Sequence, residues 1–162
     1  MKKFLISLGI IFFTIITFLI YNLTKSNYTE KKEITVINIE NNEKTTISNN
    51  IEKTIYVFNF WASYCKPCIE ELEYFNSLSK VPNLKFYSIN LFDDKKITSK
   101  IKLKKTLNYS IYSSKDFEKS NSLPITLFLD KNLKILDKQI GAFASEDDLI
   151  KTINELKGGL KL

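Results

Sequence analysis

Two cysteines, Cys65 and Cys68, are the only ones in the chain, and two residues separate them. Such a spacing lets both sulfurs meet across one turn at the start of a helix. Free backbone N–H groups and the helix dipole would there stabilise a thiolate on the outer sulfur, Cys65. The neighbouring Lys66 ammonium acts in the same direction, and Pro67 suits a first helical turn, where no N–H donor is needed. Cys68, one turn deeper, would be the thiol that releases a mixed disulfide by attacking Cys65. The pair could instead be half of a zinc site or a permanent staple. A zinc site lacks its second pair of ligands, since the chain has no histidine and no third cysteine. A staple across two residues would remove little entropy from the unfolded chain. Reversible thiol redox chemistry is the expectation.

The elements that must position these thiols follow from the hydrophobic pattern. Thr54 to Phe60 is β-branched and aromatic almost throughout and reads as a strand covered on both faces, running directly into the cysteine segment. A helix is predicted from Cys65 to Ser79, with Cys68, Leu72 and Phe75 on one stripe and Ile69 and Leu78 flanking it. Leu84 to Leu91 reads as a second strand, and Asp93 to Tyr109 as a lysine-rich helix with Ile97 and Ile101 facing inward. Ile125 to Leu129 and Lys134 to Ile140 form a predicted hairpin around Asp130 to Asn132. A last helix starts at Ser145, has Leu149, Ile153 and Leu156 as its apolar face, and should stop at Gly158 and Gly159. Upstream, Ile34 to Ile39 and Thr45 to Ile47 read as a hairpin turning at Asn41 and Asn42. The sum is a three-layer α/β domain over residues 34–162, a mixed sheet with helices on both faces.

Residues 1–21 are of another kind. Lys2 and Lys3 precede an uncharged run, Phe4 to Tyr21, in which 14 of 18 positions are apolar, and as a helix it would span roughly 27 Å. An uncleaved transmembrane anchor is expected, with residues 22–33 as the linker; the alternative is a cleaved signal peptide with Thr24 and Ser26 as its small residues. Both lead out of the cytoplasm, and the lysines favour a cytoplasmic N-terminus. The net charge of +6 comes from 24 lysines against 18 acids, with no arginine. The residue best suited to bidentate phosphate and base recognition is therefore missing, which argues against nucleic acid as a partner. The lysine cluster at 95, 96, 100, 102, 104 and 105 reads as a solvated helix face, with anionic lipid headgroups as the functional option.

The run Asn59-Phe60-Trp61-Ala62-Ser63-Tyr64-Cys65-Lys66-Pro67-Cys68-Ile69-Glu70-Glu71 resembles the active-site segment of membrane-anchored thioredoxin-like proteins of the TlpA/ResA type. Leu123-Pro124-Ile125-Thr126 is similar to that family's cis-proline loop, and Asp130 to Leu133 and Gly141 to its hairpin turn and following glycine. The resemblance implies a thioredoxin-like fold and a thiol-disulfide oxidoreductase. It implies Cys65 as attacking thiol, Cys68 as resolving thiol, Pro124 opposite the disulfide, and Glu71, if partly buried, as the group that moves the Cys68 proton. Trp61 beside the motif, with Lys66, Pro67 and Leu123, would meet the substrate, the backbone of Leu123 pairing with an extended chain. No cofactor beyond the redox-active disulfide is implied, and no metal. The implied partners are disulfides of exported proteins, among them an apocytochrome c, with electrons from a transmembrane thiol reductant of the DsbD/CcdA kind. A disulfide-donating oxidase and a non-catalytic binding module are the competing readings. Three positions depart from the pattern: Tyr64 stands where tryptophan is commoner, Glu73 where a proline often kinks the helix, and Asn59 where cytoplasmic thioredoxins carry a buried aspartate.

Overall fold

The computed structural model describes residues 33–48, 54–117, 120 and 122–160. The expected anchor and nearly all of the expected linker lie outside the described residues, among which no helix is long and apolar enough to cross a membrane. The elements are β1 (Glu33–Asn38), β2 (Lys44–Ser48), β3 (Ile55–Trp61), α1 (Lys66–Glu71), a 3₁₀ helix (Leu72–Lys80), β4 (Leu84–Asn90), α2 (Lys95–Lys104), β5 (Ile111–Ser113), β6 (Ile125–Leu129), β7 (Ile135–Ile140) and α3 (Glu146–Leu160). The strands form one sheet in the order β2-β1-β5-β4-β3-β6-β7. β3 pairs in parallel with β4 and antiparallel with β6, so the most apolar strand is an interior one with a neighbour on each side. All seven residues of β3 are buried, which is why its sequence is apolar without alternation.

Alternation along β3 assigns the two faces. Tyr56, Phe58 and Phe60 join Ile89, Ile125, Leu127 and Leu129 on one side. Ile55 and Val57 join Phe75, Leu78, Leu149 and Ile153 on the other. Trp61 continues that second face into a cluster with Cys65, Cys68, Leu72 and Ile111. Every cluster containing helix residues lies on the second face. The expectation of helices on both faces therefore needs correction among the described residues. The first face is an aromatic layer instead, with Phe58 stacked on Tyr87 and Phe117 set against Phe58 and Phe60. The stretch between β5 and β6 has only Phe117 and Leu123 as large apolar residues, too few for an amphipathic stripe.

Other expectations change in detail. The helix after the cysteines is α-helical only to Glu71 and then tightens to 3₁₀. Its buried residues Leu72, Phe75 and Leu78 recur every third position, the period of a 3₁₀ helix, and Ser77 and Ser79 hydroxyls donate to carbonyls three residues back. α2 ends at Lys104, and the short β5, absent from the sequence reading, follows. Ile97 does not face inward: it is 42% exposed, while Ile101 packs toward Trp61 and Leu72. Half of the lysine cluster is tied down, as Lys95 donates to the Glu40 carbonyl, Lys102 pairs with Glu40 at 2.5 Å and Lys105 with Glu73 at 3.2 Å. α3 runs through Gly158 and Gly159 to Leu160, because Leu156 and Leu160 still find the core and Lys157 donates to the Pro82 carbonyl at 2.6 Å.

Candidate active site

β3 delivers the chain to the site, and α1 begins there. Cys65 is the N-cap of α1, with extended backbone, and its Sγ accepts the Cys68 N–H at 3.3 Å. Pro67 occupies the first turn. Cys65 and Cys68 are joined as a disulfide, Cys65 8% exposed and Cys68 sealed. The outer sulfur is thus the one a partner can reach, and it sits where unpaired N–H groups favour negative charge. Lys66 contributes less than its position in the sequence suggests: its side chain is 88% exposed and lies 3.8 Å from Glu70, so its field is screened by water.

The loop before the cysteines is clamped to the end of β4. Asp93 accepts the Ser63 N–H at 2.7 Å and the Ser63 hydroxyl at 2.5 Å, and the Asn90 side-chain amide at 2.7 Å. Beside this clamp Tyr64, 65% exposed, meets Phe92 edge to face. Trp61, expected to meet the substrate, is wholly buried and donates its indole N–H to Ser88 Oγ at 2.8 Å. It therefore supports the disulfide from within. Leu123 is half-buried against the Trp61 cluster, Pro124 is buried, and the peptide between them is cis, as the resemblance implied.

Behind the disulfide lies a polar cluster inside the apolar core. Glu71, at the last position of α1, is 1% exposed. Its Oε1 accepts the Asn59 side-chain amide at 2.9 Å and its Oε2 accepts the Phe143 N–H at 3.0 Å. Burial pushes its carboxyl up to about 7, against the pull of those two donors. Asn59 also donates to Thr126 Oγ1 at 3.1 Å across the β3–β6 pair, where the two residues are in register. Tyr109 donates to the Leu72 carbonyl at 2.7 Å, and burial, reinforced by the Glu71 charge, pushes its phenol up. A carboxyl near neutrality, one turn beyond a sealed thiol, can take and return a proton. Among the described residues no group of three or more His, Cys, Asp or Glu side chains is placed to hold a metal.

Sequence reasoning named Cys65, Cys68, Glu71 and Pro124; the structure packs the two cysteines with Trp61 and Leu123, buries Glu71 against Asn59 and the Phe143 N–H, and makes the Leu123–Pro124 peptide cis. Asp93, Thr126 and the Phe143 N–H were missed. Thr126 carried a signal, as a lone polar residue inside the buried run Ile125 to Leu129; a backbone donor from a distant loop carries none.

Known structures share the fold. The structure of StoA from Bacillus subtilis superposes with a TM-score of 0.61 at 19% identity, covering 76% of this chain and 98% of that one. The fold is thioredoxin-like. A second thioredoxin-like structure, a secreted Mycobacterium tuberculosis disulfide oxidoreductase described as homologous to E. coli DsbE, gives a TM-score of 0.62 at 16% identity over 75% of this chain and 94% of its own. In sequence, the thiol-disulfide oxidoreductase ResA of Geobacillus thermodenitrificans (strain NG80-2) is 28% identical over 97 residues, 55% of this chain and 56% of the relative. The resemblance of this thioredoxin-like domain to the ResA type thus recurs in sequence and in fold, although the matched stretch spans little more than half the length of the relative. No protein-family model matches the chain.

Proposed function

We propose that the protein is a thiol-disulfide oxidoreductase that reduces disulfides of exported proteins. The carrying observation is the asymmetry of the Cys65–Cys68 disulfide, one sulfur reachable and capping a helix, the other sealed beside a buried acid. In the reduced enzyme, the Cys65 thiolate attacks one sulfur of a substrate disulfide. That bond breaks, a mixed disulfide forms on Cys65, and the first substrate thiolate leaves and is protonated. Glu71 takes the proton of Cys68, whose sulfur then attacks Cys65 and displaces the second substrate thiolate, which receives that proton. Two electrons and two protons pass to the substrate, and the enzyme keeps the disulfide.

The curated relatives of this chain are named thiol-disulfide oxidoreductases, which supports the reaction class. The uncharged run before the domain supports a tether that holds it outside the cytoplasm at the membrane. An apocytochrome c is a fitting substrate and a transmembrane thiol reductant a fitting electron source, both by the ResA resemblance. Donation of the disulfide by an oxidase has one observation in its favour, the N–H held on Cys65 Sγ, since stabilising the reduced thiolate makes a couple more oxidising.

The test is Cys68→Ser in the full chain, which should retain substrates on Cys65 as mixed disulfides that reductant releases. The reduction potential decides the direction: near thioredoxin, about −270 mV, supports the reductase, and near DsbA, about −120 mV, the oxidase. Retention of activity when both cysteines become serine would establish a binding module instead.

A further inference from the structure

Asn59 is fully buried on the interior strand β3, and its Oδ1 is the single buried side-chain polar atom without a hydrogen-bond partner among the described residues. Both hydrogens of its Nδ2 are used, one on Glu71 Oε1 and one on Thr126 Oγ1. The other oxygen of Glu71 faces the Phe143 N–H. Both carboxyl oxygens therefore look at donors, an arrangement that suits the ionised acid best, since a protonated carboxyl gives up part of its acceptor capacity and gains a donor that needs a partner. A proton on Glu71 Oε1 would point at an N–H. The Phe143 donor is fixed by backbone, but the amide at the end of Asn59 turns about a broad, roughly two-fold torsion. After half a turn Oδ1 accepts the new O–H of Glu71, and the Thr126 hydroxyl, which can donate as well as accept, turns to serve it too. Each orientation leaves one end of the amide unpartnered, Oδ1 in the first and Nδ2 in the second, so the state of Glu71 decides between them.

We propose that Asn59 is a positioning residue that follows the Glu71 proton, presenting its amide nitrogen to the carboxylate and its amide oxygen to the neutral acid. The residue stands where an aspartate in a thioredoxin would itself ionise, and here it serves the acid on the neighbouring helix. The titratable groups around Glu71 are Tyr109, which is raised by burial and by that charge, and the two cysteines, which do not titrate while bridged. Asn59, Thr126 and Phe143 contribute no charge, and of Glu71's two hydrogen-bond partners only the Asn59 amide can reorient. The proposal deepens the reading of Glu71 as proton carrier and rests on it.

The experiment is a pH titration of the full-length oxidised protein by NMR, following the Glu71 side-chain carboxyl carbon and the Asn59 side-chain amide group together. The two should share one midpoint, and Glu71→Gln should leave the Asn59 signal independent of pH. Asn59→Leu removes a donor from the carboxylate and an acceptor from the neutral acid; the bond to the ionised form is the stronger, so the Glu71 midpoint should rise by up to about one pH unit. An Asn59 amide that stays constant while Glu71 titrates overturns the proposal, as does a lowered midpoint in a folded Asn59→Leu protein. The wild-type titration needs no substitution and stands if that variant does not fold. If the two signals move together but Cys68→Ser traps no substrate, the oxidoreductase reading fails and the coupling of Asn59 to Glu71 remains.

Discussion

The backbone N–H of Phe143 donates to Glu71 Oε2 at 3.0 Å, joining the loop after β7 to the end of α1 across 72 positions of sequence. The carboxyl thus has a fixed donor on one oxygen and a side-chain donor, Asn59, on the other. The helix α1, the strand β3 and the loop after β7 all meet at one acid.

The Glu71 environment makes stability depend on pH. Burial raises the carboxyl from 4.5 to about 7, so the folded protein holds this proton more tightly than the unfolded chain. Below pH 4.5 the acid is protonated in both states and costs nothing; as pH rises through that window stability falls, with a loss on the order of 3 kcal/mol complete above it. Urea denaturation of the oxidised protein between pH 4 and 9 should show this decline, and Glu71→Gln should flatten it. An equal decline in the variant would assign the effect to another group.

The two sulfurs should differ in reactivity once reduced. Cys65 is slightly exposed, caps α1 and accepts the Cys68 N–H, whereas Cys68 has no accessible surface. Limited alkylation followed by mass spectrometry should place the label on Cys65 first. Its rate should rise with a midpoint below the free-cysteine value of about 8.5. Label appearing first on Cys68 would reverse the assigned roles.

Asp93 should matter for the site although it is not a thiol or an acid of the reaction. It accepts three hydrogen bonds, two of them from Ser63 in the loop that leads to Cys65. Asp93→Ala should cost about 2–3 kcal/mol in denaturant unfolding, and combined with Ser63→Ala should cost less than the two losses added, since they share a bond. Strict additivity would show that the clamp is not a unit.

Two glycine substitutions should act with opposite sign. Gly141 has φ of +91°, and a Cβ there would meet nothing within 4 Å, so its cost is backbone alone. Gly141→Ala should destabilise by about 1–2 kcal/mol. Gly158, inside α3 with equally open space, should gain about 0.5–1 kcal/mol as alanine. Thermal unfolding of the two variants checks both signs.

Much of the frame was legible because the signals are local. β3, β4, β6 and β7 appear as apolar or alternating runs, since a strand's burial is written in its own side chains. The helix after Cys68 was legible in place but not in kind, because spacings of three and four residues are close and packing of Leu72, Phe75 and Leu78 decides between them. The three-residue β5 was not legible, as it owes its conformation to β4 and β1 on either side. Gly158 and Gly159 read as a stop, yet tertiary contacts of Leu156 and Leu160 carry the helix through them.

The chemistry itself was determined by sequence: two cysteines spaced by two, after a buried strand and at a helix start, with no histidine or third cysteine to offer another use. Tertiary structure decided the electrostatics. Whether Glu71 is a solvated helix acid or a buried one near neutrality depends on residues 12 and 72 positions away, Asn59 and Phe143, and on the core that excludes water around them. A covalent spacing is a property of the chain, but desolvation is a property of everything packed around a group, and only the folded molecule contains it.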